Sequence, residues 1–116
     1  MTGKSPITTH VLDTTKGKPA KGIVVRLERG SGEKWAVISE KTTDGDGRIG
    51  DLVSDQKSIH PGTYRMTFET GSYFKASGVK AFYPHVAVTF EIEDASGQYH
   101  IPLLLSPFGY STYRGS

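Results

Sequence analysis

The chain has 116 residues, no cysteine and a formal net charge of +2, from 14 basic and 12 acidic side chains. This length predicts one domain, residues 1–116, with a core that needs no covalent cross-links. The missing cysteines exclude disulfides, thiolate zinc sites and cysteine nucleophiles. The interspersed charges lack the basic run that nucleic-acid binding requires, so no nucleic-acid partner is expected.

Neither membrane nor secretion signals are visible in the sequence. No window approaches 18 apolar residues, and the start MTGKSPITTHVLD lacks the apolar stretch of a signal peptide. The sequence therefore predicts no membrane association and a cytoplasmic location.

Short segments of alternating apolar and polar residues run through the chain, which is typical of half-buried antiparallel strands. In VAVTFEIE, for example, Val86 and Val88 alternate with Ala87 and Thr89. Turn signals such as KGKPAKG, RGSGEK, HPGT and DASG separate the segments. The predicted strands are 6–14, 22–29, 34–42, 48–53, 64–69, 86–93, 98–105 and 109–114. This spacing predicts an all-β sandwich.

Two segments depart from the alternation. GSYFKASG, residues 71–78, is bounded by glycines and predicts one short helical turn. In YHIPLLLSP, Leu103, Leu104 and Leu105 are consecutive, so this strand is apolar on both faces. A strand of that kind needs a second cover, and another subunit could supply it.

Arg48 follows the turn TTDGDG and opens the next predicted strand. The pattern favours a hairpin turn. A calcium loop is excluded because Arg48 and Ile49 fall where such a loop needs a ligand and a glycine. No histidine or carboxylate spacing suited to a metal is present, so no metal site is expected.

Four histidines are the candidate acid–base groups. His60 and His85 flank prolines at strand boundaries and are interpreted as structural loop residues. His10 and His100 lie in the middle of predicted strands, and the spacing does not show whether they meet. No G-x-S-x-G motif or phosphate-binding glycine loop is present.

Four stretches, in order, resemble one enzyme family over essentially the whole chain. They are ITTHVLDTTKGKPAKGI, TTDGDGRI, FYPHVAVTFEI and the final YHIPLLLSPFGYSTYRGS. Together they are similar to the 5-hydroxyisourate hydrolases, the transthyretin-related enzymes of urate degradation. The final YRGS is the most specific piece, because the transthyretin hormone carriers lack it.

The resemblance implies a sandwich of two four-stranded antiparallel sheets with one short helix. It also implies a homotetramer, a dimer of dimers, with active sites at the dimer–dimer interface. The implied activity is hydrolysis of 5-hydroxyisourate to the carboxy-ureidoimidazoline product without metal or cofactor. The implied catalytic residues are His10, Arg48 and His100, and the implied substrate-binding residues are Tyr113, Arg114, Gly115 and Ser116.

One departure from the family pattern and one rival function stay open. Many members have His-Tyr-His where this chain has Gln98-Tyr99-His100. The resemblance also leaves undecided whether His10 or His100 is the general base. The alternative function is a transthyretin-like carrier that binds a small ligand without catalysis.

Overall fold

A computed structural model describes residues 5–54 and 56–116. Strands dominate, and the predicted two-sheet sandwich is confirmed. The elements are β1 (Ile7–Asp13), β2 (Lys18–Pro19), β3 (Val24–Ser31), β4 (Lys34–Thr42), β5 (Arg48–Ile49), a 3₁₀ turn (Gln56–Ser58), β6 (Gly62–Phe68), α1 (Thr70–Ala76), β7 (Val86–Ile92), β8 (Tyr99–Ser106) and β9 (Gly109–Thr112). The short helix predicted at 71–78 is therefore confirmed as α1.

The two sheets differ in strand number and direction from the predicted four-stranded antiparallel pair. One sheet has four strands in the order β4-β3-β6-β7, and the other has five, with β2-β1-β8-β9 in order and β5 beside β1. Strands β1 and β8 run parallel. They lie near opposite ends of the chain, so no tight turn forces them to be antiparallel.

Two local predictions were wrong for reasons of hydrogen bonding. The predicted strand 48–53 ends at Ile49, because the Leu52 carbonyl accepts from Ser39 Oγ and the Val53 N–H donates to Ser5 Oγ. The predicted turn KGKPAKG instead contains β2, which lies at the edge of the sheet. Pro19 has no backbone N–H, and an edge strand tolerates proline because one of its sides has no partner strand.

The alternation predicted from sequence separates the core from the outer faces. On β6 the side chains of Tyr64, Met66 and Phe68 are fully buried between the sheets. On β8, Leu103 and Leu105 are buried in the same core, whereas Leu104 is half-buried on the opposite face. The outer face of the five-stranded sheet is thus partly apolar.

Helix α1 is joined to the five-stranded sheet by a partly buried polar contact. The Tyr73 hydroxyl donates to Asp13 Oδ2 at 2.8 Å, and Asp13 Oδ1 accepts the N–H groups of Thr15 and Lys16. Burial, followed by the hydrogen bond to Asp13 and that residue's charge, raises the pKa of Tyr73 to about 12. The contact fixes the loop that follows β1.

Replacing Tyr73 by phenylalanine should lower the free energy of unfolding by about 1.5–3 kcal/mol, because the buried Asp13 loses a charge-assisted hydrogen bond. Urea unfolding measures the change. Tyr110→Phe, at a tyrosine that is 43% exposed, is the control. Equal losses in the two variants would contradict the prediction.

Candidate active site

The outer face of the five-stranded sheet brings the two mid-strand histidines together. In the parallel register, Thr8 pairs with His100 and His10 pairs with Pro102. His10 and His100 are half-buried, and both lie on the face turned away from the core. The alternation in the sequence predicts on which face of its own strand each histidine lies. Only the pairing of β1 with β8 shows that the two histidines share one surface of the sheet.

Arg48 reaches the same surface through a tight turn at 44–47. Asp44 Oδ1 accepts the N–H groups of Asp46 and Arg48 at 2.9 and 3.0 Å, and these bonds lower the pKa of Asp44. Gly47 has φ of +73°, and a Cβ there would overlap the Val11 carbonyl oxygen. The register then sets Arg48 opposite His10.

This turn is not the hairpin that the sequence pattern favoured. It carries the chain from β4 in one sheet to β5 in the other. The Asx and glycine chemistry was correctly read as a turn, but such chemistry does not specify which strands the turn connects.

The His100 imidazole is hydrogen-bonded on one edge and has a lowered pKa. Its Nδ1 lies 2.7 Å from Thr8 Oγ1. Burial lowers the pKa of His100, and electrostatic interactions with Arg48 and then His10 lower it further. If Nδ1–H donates to Thr8, Nε2 is left unprotonated and can accept a proton. Thr8 is a functional candidate that the sequence analysis did not single out.

Residues 113–116 are ordered against β8. The Gly115 N–H donates to the His100 carbonyl at 2.8 Å, which forms an antiparallel bridge. The Arg114 guanidinium lies 4.6 Å from the centre of the Tyr99 ring, and its Nη2 donates to the Gln98 carbonyl at 3.3 Å. The end of the chain therefore lies beside the histidine.

Five of the seven predicted site residues converge on two adjoining cavities that share Tyr99 and His100, and a sixth lies beside His100. A polar cavity of about 480 Å³ is lined by Thr8, Arg48, Gly50, Gln98, Tyr99, His100 and Ser116. An apolar cavity of about 220 Å³ is lined by Val88, Phe90, Glu91, Tyr99, His100, Ile101, Thr112, Tyr113 and Arg114. Gly115 packs against the His100 ring. His10 lines neither cavity, but it lies opposite Arg48 in the pairing of β1 with β5.

The polar cavity combines a fixed positive charge, an imidazole whose pKa is lowered, and three hydroxyl-bearing side chains. Such a set of groups suits the binding of an electron-rich ring and the removal of a proton from water.

Within residues 5–54 and 56–116, no three histidine or acidic side chains cluster as a metal site. In the same residues, no helix is long and apolar enough to cross a membrane.

Substituting Gly115 by alanine should lower kcat/KM about tenfold or more, because the new Cβ would lie 2.6 Å from His100 Cδ2 and displace the ring. Gly109→Ala is the matched control, since the nearest atom there is Ser106 Oγ at 3.7 Å. Steady-state assay of both variants makes the comparison. Wild-type kinetics for Gly115→Ala would contradict the predicted packing.

Together, the fold and the site define a two-sheet β-sandwich protein with a polar ligand cavity on the outer face of one sheet. The chain belongs to the HIUase/Transthyretin family, whose sequence model matches residues 7–115. It is 45% identical to the mouse (Mus musculus) 5-hydroxyisourate hydrolase over 117 residues, covering 99% of this chain and 98% of the mouse protein.

Solved structures of a 5-hydroxyisourate hydrolase and of a transthyretin both share this fold. The Klebsiella pneumoniae 5-hydroxyisourate hydrolase superposes with a TM-score of 0.83 at 33% identity, covering 95% of this chain and 92% of that one. The transthyretin of Sparus aurata superposes with a TM-score of 0.89 at 30% identity, covering 95% and 96%. The transthyretin-like fold is confirmed, and fold alone does not separate enzyme from carrier.

Proposed function

We propose that this chain hydrolyses 5-hydroxyisourate to 2-oxo-4-hydroxy-4-carboxy-5-ureidoimidazoline, with residues 1–116 acting as one catalytic domain. The observation that carries the proposal is the grouping of Arg48, His100 and Ser116 around one polar cavity, in which the pKa of His100 is lowered. The mouse relative that bears the hydrolase name supports the assignment.

The reaction requires water to attack a lactam carbonyl. His100 Nε2 takes a proton from the water while the water oxygen bonds to the carbonyl carbon. Negative charge then develops on the carbonyl oxygen, and the Arg48 guanidinium stabilises it. The ring C–N bond breaks, and the departing nitrogen receives the proton held by His100. No cofactor enters these steps.

His100 is favoured over His10 as the base because it lines the polar cavity, which His10 does not, and because burial and then the charge of Arg48 lower its pKa. His10 lies opposite Arg48 in the β1–β5 register and is assigned to orienting the arginine or the ring. Ser116 and Arg114 are assigned to the edges of the ring. Tyr113 and Gly115 hold the segment against β8.

Removing the charge of Arg48 should shift the acid limb of the pH profile of kcat/KM to higher pH. The pKa of His100 lies below the ordinary value of 6.5, so kcat/KM should fall only as the pH drops through that lowered pKa. In Arg48→Gln the pKa rises, and the acid limb should shift to higher pH. In Arg48→Lys the charge remains and the limb should stay in place, even where turnover falls.

Measuring kcat/KM against pH for the three proteins tests this expectation. Arg29→Gln, at an exposed arginine on the other sheet, is the control. An acid limb that is identical in wild type and Arg48→Gln would exclude the electrostatic coupling of Arg48 to His100.

The carrier alternative draws on the likeness to the Sparus aurata transthyretin and on the small apolar cavity. A carrier of apolar ligands would favour apolar walls. The larger cavity instead holds Arg48 and His100. The polar lining therefore favours the hydrolase.

We also propose that the chain forms a homotetramer, a dimer of dimers, in which a second copy covers the outer face of the five-stranded sheet. Half-buried Leu12 and Leu104 on that face support such a contact. Sedimentation equilibrium measures the assembly. The cytoplasmic location of the protein and its independence from metals and cofactors also remain predictions.

The test of function is the decay of 5-hydroxyisourate, produced in place by urate oxidase and followed by its ultraviolet absorbance. Decay that is faster than in buffer and proportional to protein concentration supports the hydrolase. Decay equal to that in buffer would overturn the hydrolase proposal and leave the carrier.

A further inference from the structure

Two glutamine side chains form a linked pair at the edge of the polar cavity. The Gln56 amide nitrogen donates to the carbonyl oxygens of Ala95 and Gly97, at 2.5 and 2.9 Å. The Gln56 amide oxygen accepts the Gln98 amide nitrogen at 3.1 Å. Gln98 is also one of the residues that line the cavity.

The direction of this chain of hydrogen bonds is fixed by chemistry. Carbonyl oxygens can only accept, so the Gln56 group facing Ala95 and Gly97 must be its NH₂. Gln56 then offers only an oxygen to its other neighbour. Gln98 must therefore present its NH₂ to Gln56, which leaves the Gln98 carbonyl oxygen as its free end.

Gln98 is held at its backbone as well. Its main-chain carbonyl accepts from Arg114 Nη2 at 3.3 Å, and the next residue, Tyr99, lies under the Arg114 guanidinium. The following residue is His100. The Gln98 backbone and its amide NH₂ are thus both hydrogen-bonded, its amide oxygen is left for a ligand, and the residue lies two positions from the proposed base.

We propose that the Gln98 amide oxygen accepts a ring N–H of the substrate and selects for an unsubstituted ring nitrogen, and that Gln56 positions it. This inference rests on the proposed function and deepens it. A neutral amide does not titrate, so its contribution to substrate binding is independent of pH over the range in which histidine changes charge.

Kinetics of single and double variants test the positioning role. Gln98→Met keeps the length and removes the acceptor, and should raise KM about tenfold with little change in kcat. Gln56→Met frees the Gln98 amide to turn and should raise KM several-fold. In the Gln98→Met background, Gln56→Met should add nothing to KM, because its effect passes through Gln98.

Lys57→Met, at the exposed neighbour of Gln56, is the matched control and should leave KM unchanged. If Gln56→Met raises KM by the same factor in the wild-type and the Gln98→Met backgrounds, the role of Gln56 is structural and the positioning claim is overturned. If Gln98→Met leaves KM unchanged, the acceptor claim is overturned.

Binding of stable ring analogues tests the acceptor independently of turnover. Calorimetry with uric acid and its mono-N-methyl derivatives should find one N-methyl position that weakens binding about tenfold in wild type and not in Gln98→Met. This measurement stands even if the protein fails to hydrolyse 5-hydroxyisourate, so the two proposals fail separately. Equal discrimination by wild type and Gln98→Met would overturn the selection for a ring N–H.

Discussion

Replacing His100 by asparagine is expected to lower kcat about 10²- to 10⁴-fold, which is the usual contribution of a general base. The asparagine amide nitrogen can still donate to Thr8 Oγ1, in place of the Nδ1 contact at 2.7 Å. It has no group at the position of Nε2, however. The variant should therefore remain folded and bind substrate while the proton transfer is lost.

Steady-state kinetics and circular dichroism of His100→Asn make the measurement. His60→Asn is the matched control, because His60 is exposed and its contacts to the Tyr64 hydroxyl use backbone atoms only. His10→Asn should lower turnover less than His100→Asn. Wild-type kcat in His100→Asn would remove that residue from the mechanism, and a larger loss in His10→Asn would transfer the base role to His10.

Removing residues 113–116 is expected to lower kcat/KM by about a hundredfold or more while the sandwich stays folded. The deletion removes Ser116 from the cavity wall and Gly115 from the His100 ring. Small displacements of reacting groups cost this much in rate. Stability should fall by about 1–3 kcal/mol, because the deletion removes the backbone hydrogen bond to the His100 carbonyl and the contacts of Arg114 with the Gln98 carbonyl and the Tyr99 ring.

The deletion is assayed with 5-hydroxyisourate, and its stability is measured by urea unfolding. Phe108→Ala is the comparison, because Phe108 is 67% exposed, lines neither cavity and lies outside the deleted segment. Near-wild-type kcat/KM in the shortened protein would show that the segment plays no part in the site.

Local patterns predicted the strands and the helix well. Alternation set which side chains of β6 and β7 enter the core, and the paired glycines set the bounds of α1 within two residues. These features depend on neighbours in sequence, so a single chain reveals them. The end of the strand predicted at 48–53 was missed because serine side chains, and not a partner strand, bond the Leu52 and Val53 backbone.

The site depended on information that local patterns do not contain. His10, Arg48 and His100 were reached through the family resemblance, since their own spacing left open whether they meet. The parallel register of β1 with β8 brings Thr8 against His100, and the crossing turn after β4 brings Arg48 against His10. Both are long-range pairings. For the same reason, sequence spacing gave no sign of Thr8 or of the Gln56–Gln98 pair.

The parallel pairing of β1 with β8 also has a kinetic consequence for folding. The contact between Thr8 and His100 joins residues 92 positions apart, so its loop-closure entropy is among the largest that this chain can incur. Chains dominated by such contacts fold slowly, in milliseconds to seconds. Local segments can form strands or α1 early, but none of them contains the site. Recovery of activity during refolding therefore reports the closing of the whole chain and not the formation of any one of its parts.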